Sequence, residues 1–160
     1  MIQRLIETEE IISGLLGPGS MFEGRILFDG TLRIDGTVNG EIICKNDSPS
    51  TVIITEEAVV EANIIADVII VSGMLSGNLK AIEKLEVISP GRVEGLVYTS
   101  DLSIQDGALF QGECVMIRQF SIEDKRILKM EGFYDIHHQH MLQNDRVSIW
   151  DATEKENSES

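Results

Sequence analysis

The sequence predicts an all-β protein, a three-sided parallel β-helix of about six coils with a short N-terminal segment and a partly helical C-terminal tail. Three observations carry this reading. Small residues recur as anchors at Gly24, Gly40, Ala62, Gly77, Gly95 and Gly112, each with a second small residue four positions earlier (Ser20, Gly36, Ala58, Gly73, Gly91, Ala108). Two residues before each anchor stands Phe22, Val38, Val60, Leu75, Val93 or Phe110, and two after it Ile26, Ile42, Ile64, Leu79, Val97 or Cys114. Every anchor but the first also follows an alternating apolar pair: Leu32/Ile34, Val52/Ile54, Ile69/Val71, Leu85/Val87 and Leu102/Ile104.

Alternation at period two marks a strand with one buried face. Segments cut this short by Asp-Gly, Ser-Gly and Pro-Gly corners cannot form useful helices. The anchors are 16, 22, 15, 18 and 17 residues apart. A period near 17 holds three strand-like segments and suits a coil that climbs about 4.8 Å per turn. One such coil cannot bury enough to stand alone, so stability must come from stacking.

Residues 1–20 differ in composition. Ile2, Leu5, Ile6, Ile12, Leu15 and Leu16 are spaced for one face of a short amphipathic helix, with Glu7, Glu9 and Glu10 opposite. Ile2, Leu5 and Ile6 are the candidate membrane contact. Only Arg4 is basic in this stretch, whereas interfacial helices carry several cations, so a lead-in over the first coil is the plainer reading.

Residues 21–117 form the predicted solenoid. The long spacing contains Asn46-Asp47-Ser48-Pro49-Ser50, a turn-forming run that reads as an inserted loop. The apolar pair begins eight residues before Gly40 and Gly77 but ten before Ala62, Gly95 and Gly112, so the corner takes two lengths. Charged residues, among them Glu23, Arg25, Arg33, Asp35, Glu41, Glu61, Glu86, Glu94 and Glu113, fall on alternate positions. They read as a solvated face rather than an acid–base constellation.

Residues 118–160 leave the repeat. Ser121 and Asp124 resemble a capping box, followed by Ile127, Leu128, Met130 and the stop residue Gly132, which predicts a helix over 121–131. The stretch from Phe133 to Trp150 is apolar, and the polar end from Glu154 reads as disordered. His137, His138 and His140 are a weak metal signal without a companion cysteine, and a surface polar cluster is preferred.

Composition narrows the function. The formal net charge is −14, of which 21–117 carry −9, so phosphate-bearing partners, nucleic acid included, are disfavoured. No stretch approaches a membrane span, and the N-terminus lacks a signal-peptide pattern. Cys44 and Cys114 occupy repeat positions and read as packing residues in a reducing, cytoplasmic compartment. No cofactor, metal or small-molecule substrate is indicated.

Phe22-Glu23-Gly24-Arg25-Ile26, Leu32-Arg33-Ile34-Asp35-Gly36-Thr37-Val38-Asn39-Gly40-Glu41-Ile42, Val71 through Leu79 and Gly91-Arg92-Val93-Glu94-Gly95 together resemble the bactofilin family of bacterial cytoskeletal proteins, over about Leu15 to Ile117. The resemblance implies a right-handed β-helix that polymerises end to end into nonpolar filaments without nucleotide. It also implies a scaffold for cell shape or for cell-wall and envelope proteins, often at the inner face of the cytoplasmic membrane. The loop insertion, the alanines of the third copy and the long apolar tail depart from the family pattern.

A stacked rod leaves unpaired strand edges and an open core layer at both ends. The bulky residues there are Phe22, Ile26, Phe28, Leu32 and Ile34 at the N-terminal end, and Leu102, Ile104, Leu109, Phe110, Val115 and Ile117 at the other. These are the expected self-assembly contacts, giving a homopolymer and no enzyme. A hexapeptide-repeat acyltransferase is disfavoured because the six-residue rhythm breaks at several corners and the solenoid holds no histidine base. The alternative is a non-polymerising adaptor whose C-terminal tail caps one end.

Overall fold

The computed structural model describes residues 12–45 and 49–117. They form one ten-stranded sheet in which every pairing is parallel. The strands are β1 (Ile12–Leu16), β2 (Met21–Phe28), β3 (Gly30–Ile34), β4 (Thr37–Cys44), β5 (Ser50–Ile54), β6 (Val59–Val71), β7 (Met74–Val87), β8 (Arg92–Thr99), β9 (Leu102–Ile104) and β10 (Leu109–Met116). Strands adjacent in sequence do not pair hairpin-fashion. β2 pairs with β4, β4 with β6, β6 with β7, β7 with β8 and β8 with β10, while β1, β3 and β5 stack in the same way, and β9 on β7. This is a solenoid of about six turns.

Each coil has a short strand, a corner, and a longer strand that turns at its anchor. Gly24, Gly40, Gly77, Gly95 and Gly112 hold φ between 138° and 144°, a backbone region closed to most L-residues. At Gly40, Gly77, Gly95 and Gly112 the backbone of the preceding coil also approaches closely. A Cβ on Gly40 would lie 1.8 Å from the carbonyl oxygen of Gly24, and one on Gly95 1.8 Å from that of Gly77. Conformation and space therefore both demand glycine at the corner.

The third copy shows what happens without it. β6 and β7 pair at Glu61↔Ser76 and again at Ile64↔Leu79, with no pairing between these two at Ala62–Asn63. The Asn63 side chain compensates: its Oδ1 accepts a hydrogen bond from the Asn78 backbone N–H at 3.1 Å.

The two corner lengths have distinct constructions. Long corners close as turns, with Ala58 N–H donating to Thr55 O, Gly91 N–H to Ile88 O and Ala108 N–H to Gln105 O. Short corners pass in two residues, Asp35-Gly36 and Ser72-Gly73, and lie against the turn of the coil before. Beyond the insertion, Ser50 and Asp67 form a buried latch between neighbouring coils. The Asp67 carboxylate accepts from Ser50 N–H at 2.8 Å, and Ser50 Oγ accepts from Asp67 N–H at 3.1 Å.

Inside run columns of apolar side chains stacked in register. Val38, Val60, Leu75 and Val93 form one column, and Ile42, Ile64, Leu79 and Val97 another; all are 2% exposed or less. Removing methyl groups from such a site costs on the order of 2 kcal/mol or more, since the stacked neighbours cannot collapse into the gap.

One expectation changes here, and others fall on residues that the structure does not describe. Leu15 and Leu16 belong to β1, so the solenoid starts at Ile12 rather than Met21. Residues 1–11, the tail from 118 (with the helix expected over 121–131 and the three histidines) and the centre of the insertion lie outside the described residues.

Gly95→Ala should therefore lower stability by on the order of 3 kcal/mol, from strain and backbone contact together. Gly17→Ala, with nothing within 4 Å of its Cβ, should be near neutral. Chemical denaturation of the two variants checks this contrast.

Asp35 supplies a pH-dependent counterpart. Thr55 Oγ1 donates to its carboxylate at 2.6 Å and Arg33 Nε at 3.0 Å, and these bonds hold Asp35 below its usual value of 3.8. The folded state thus favours the ionised carboxylate. Its contribution is complete above the unfolded-state value and is lost as pH falls through the lowered one. The stability difference between wild type and Asp35→Asn should be constant from about pH 5 upward and shrink below about pH 4.

Candidate assembly interface

The outermost coils end in strand edges. Among the described residues, β1 pairs only with β3 and β2 only with β4, while β9 pairs only with β7 and β10 only with β8. The other edge of each terminal strand faces away from the rod. Such edges are templates for further strand addition.

The core layer at each end is likewise incomplete. Leu16, Phe22 and Ile26 at the first coil, and Leu102, Ala108, Phe110 and Cys114 at the last, are half-buried and packed against the core from one side only in the stack. Their equivalents in the interior coils are almost wholly enclosed. Register explains the pattern, because Phe22 stacks on Val38, and Phe110 on Val93, with no further coil beyond.

The expected contact residues divide accordingly. Phe22 and Ile26 lie in the first layer beside Phe28, which is 7% exposed. Leu32 and Ile34 do not belong to it. They sit in the second coil, sealed by β1 through the pairs Gly14↔Leu32 and Leu16↔Ile34, and are 4% and 0% exposed. Strand β1, hidden in what resembled helical spacing, adds the missing layer. Leu16 is the terminal residue that the repeat pattern did not reveal.

At the other end, Leu102, Ile104 and Phe110 occupy inward columns of the last coil, with Ile104 43% exposed. Leu109 points outward, in the column of Met74 and Arg92. Val115 and Ile117 are also displaced from the end. Val115 is fully buried and clusters with Tyr98, against which Ile117 and Leu96 pack on the outside of the coil. The candidates Ile2, Leu5 and Ile6 lie outside the described residues.

Charge is confined to the flanks. Glu23, Glu41, Glu61, Glu94 and Glu113 are exposed, and pairs such as Arg25–Glu41 at 3.5 Å and Arg92–Glu94 at 3.8 Å lie in solvent, where they add little stability. No group of three metal-ligating side chains occurs among the described residues. Neither cysteine forms a disulfide, and burial pushes the Cys114 thiol up to about 11. No helix of the described residues is long and apolar enough to cross a membrane.

Fold and ends together define a class: a short parallel β-solenoid whose terminal strands and core layers are open to addition. Residues 14–115 match the family model Bactofilin, described as polymer-forming cytoskeletal. The chain belongs to the bactofilin family. It is 32% identical over 114 residues to bactofilin BacP of Myxococcus xanthus, covering 71% of this chain and 46% of that protein. The chain thus spans about half the length of that relative. Bactofilin BacO of the same organism is 32% identical over 102 residues, covering 64% of this chain and 78% of BacO. A cryo-EM reconstruction of Thermus thermophilus bactofilin double helical filaments matches with a TM-score of 0.57 and 26% identity, over 62% of this chain and 95% of that one.

Because the thiolate is the reactive form, Cys114 should alkylate about 100-fold more slowly at pH 8 than an ordinary protein thiol. Mass spectrometry of iodoacetamide-treated protein tests this.

Proposed function

We propose that the chain is a structural protein that assembles end to end into filaments without nucleotide and scaffolds cell shape or envelope and cell-wall proteins from the cytoplasm. The observation that carries the reading is the pair of half-open core layers at the two ends of an otherwise sealed rod. An exposed apolar layer beside unpaired strand edges is satisfied most completely by another coil of the same geometry. The Thermus protein in the matching reconstruction is filamentous, which supports the same conclusion.

The nonpolar filament implied by the family fits two self-pairing contacts, first coil to first coil and last to last. One two-fold contact stops at a dimer, whereas two different ones propagate. The aromatic at each end, Phe22 and Phe110, gives each contact its own anchor. Acidic flanks keep rods from associating sideways without hindering the ends. The capped-adaptor reading is less favoured, since Phe110 and Leu102 remain partly open to solvent in the single chain. Catalysis has no support either. The depression lined by Val59, Glu61, Met74, Ser76, Arg92 and Glu94 is an open part of the flank.

Negative-stain imaging of nucleotide-free protein should show filaments. Phe110→Arg should arrest assembly at a dimer joined through the first coil, and Phe22→Arg with Phe110→Arg should leave monomers, both by sedimentation velocity. Monomers from Phe110→Arg alone would indicate head-to-tail addition. Unchanged large assemblies would refute the interface.

A further inference from the structure

We propose that one wall of the rod pairs with the same wall of a second copy running in the opposite direction, so that two filaments lie side by side. The wall is built from β1, β3, β5, the ends of β6 and β7, and β9, stacked in that order. Its central outward column reads Leu15, Arg33, Ile53, Ile70, Glu86 and Ser103, one residue per coil. The interior members alternate with core residues, as Ile53 does with Val52 and Ile54, both 0% exposed.

The column is complementary to itself. Turned end over end about an axis midway between Ile53 and Ile70, it meets its own copy with Ile53 against Ile70 and Arg33 against Glu86, each contact made twice. The Arg33 and Glu86 side chains keep 43% and 26% exposure beside their in-chain partners Asp35 and Lys84, so both heads can still reach across. Parallel rods would instead set Arg33 on Arg33 and Glu86 on Glu86. A slip of one coil would seat Arg33 on Ile70, or Glu86 on Ile53, and strand a charge on an apolar side chain. Charge thus fixes both direction and register.

The other two walls are unsuited to this contact. Before the anchors, the outward column Glu23, Asn39, Glu61, Ser76, Glu94 and Gln111 contains acids and no base, so two such walls repel. After the anchors, the outward residues Ile65, Lys80, Tyr98 and Val115 are already enclosed. The acidic flanks that hold rods apart therefore leave one wall on which opposite charges and an apolar centre can meet.

Area decides when the contact forms. The wall is about 25 Å tall and about 16 Å wide, or roughly 400 Å² per rod. A stable dimer buries about 800 Å² per partner, so two isolated rods stay apart. Filaments repeat the wall along their length, and linked weak contacts add. The pairing therefore rests on the end-to-end assembly proposed above, and single rods with blocked ends remain monomers.

Charge exchange in the full-length chain tests this. By negative-stain imaging, wild-type filaments should lie in pairs, Arg33→Glu or Glu86→Arg alone should leave them single, and the two substitutions together should restore the pairs. The double variant sets an acid beside Asp35 and a base beside Lys84 within each chain, so recovery can come only from the partner. Independently, a short bis-maleimide should join Ile53→Cys chains into covalent dimers, and should not join Met74→Cys chains, whose cysteine lies at mid-rod on the acidic wall. Single wild-type filaments, pairs that survive either charge reversal, no recovery in the double variant, or equal cross-linking at both positions would each overturn the pairing and leave the end-to-end reading standing. Absence of any filament would overturn both.

Discussion

The close approach of successive coils at their anchor corners is the constraint on which the rest of the structure depends. A backbone carbonyl from one coil occupies the place where the next coil's side chain would begin, leaving no room for a methyl group. That contact holds the coils at a spacing where parallel hydrogen bonding closes on every side of the rod. With the spacing set, apolar residues from neighbouring turns stack in columns instead of interdigitating irregularly. The core is therefore a set of ladders, and each ladder needs a neighbour above and below. The interior coils have both and the terminal coils have one. Openness at the ends follows from the geometry that seals the middle.

The one copy built on alanine shows how strict the rule is. The backbone pairing is interrupted beside Ala62, and the amide of Asn63 provides the acceptor that the main chain no longer offers. A side chain takes over a backbone role for one residue, after which the ladder resumes at Ile64. The rod tolerates a lapse in its repeat because the repair is local.

Much of this was legible in the sequence because a period of about 17 residues writes each structural role several times over. The anchors, the two corner lengths and the inward columns all emerge from comparing copies. What was not legible lies where comparison fails. Leu15 and Leu16 are spaced as well for a helix face as for a strand, and only pairing with Arg33 and Ile34 in the next coil settles the matter. Leu32 and Ile34 then move inward by one layer. Val115 misled for a different reason. Period two assigns it correctly to the outside, but an apolar residue outside a last coil looks the same whether it meets another molecule or its own chain.

The separation of charge from apolar surface gives the rod a direction without giving it polarity. Its acidic walls repel similar walls at distances up to a Debye length, about 8 Å at physiological ionic strength. Its ends, lacking that charge, have no such barrier.

The latch between Ser50 and Asp67 has a consequence for how this chain accommodates variation. The loop that follows Cys44 is re-entered at a residue whose amide and hydroxyl are both engaged by the following turn. The solenoid regains its pitch at Ser50 whatever path the intervening residues take. A longer excursion at that point, even a grafted peptide, changes the outline of the rod and not the rhythm of its winding.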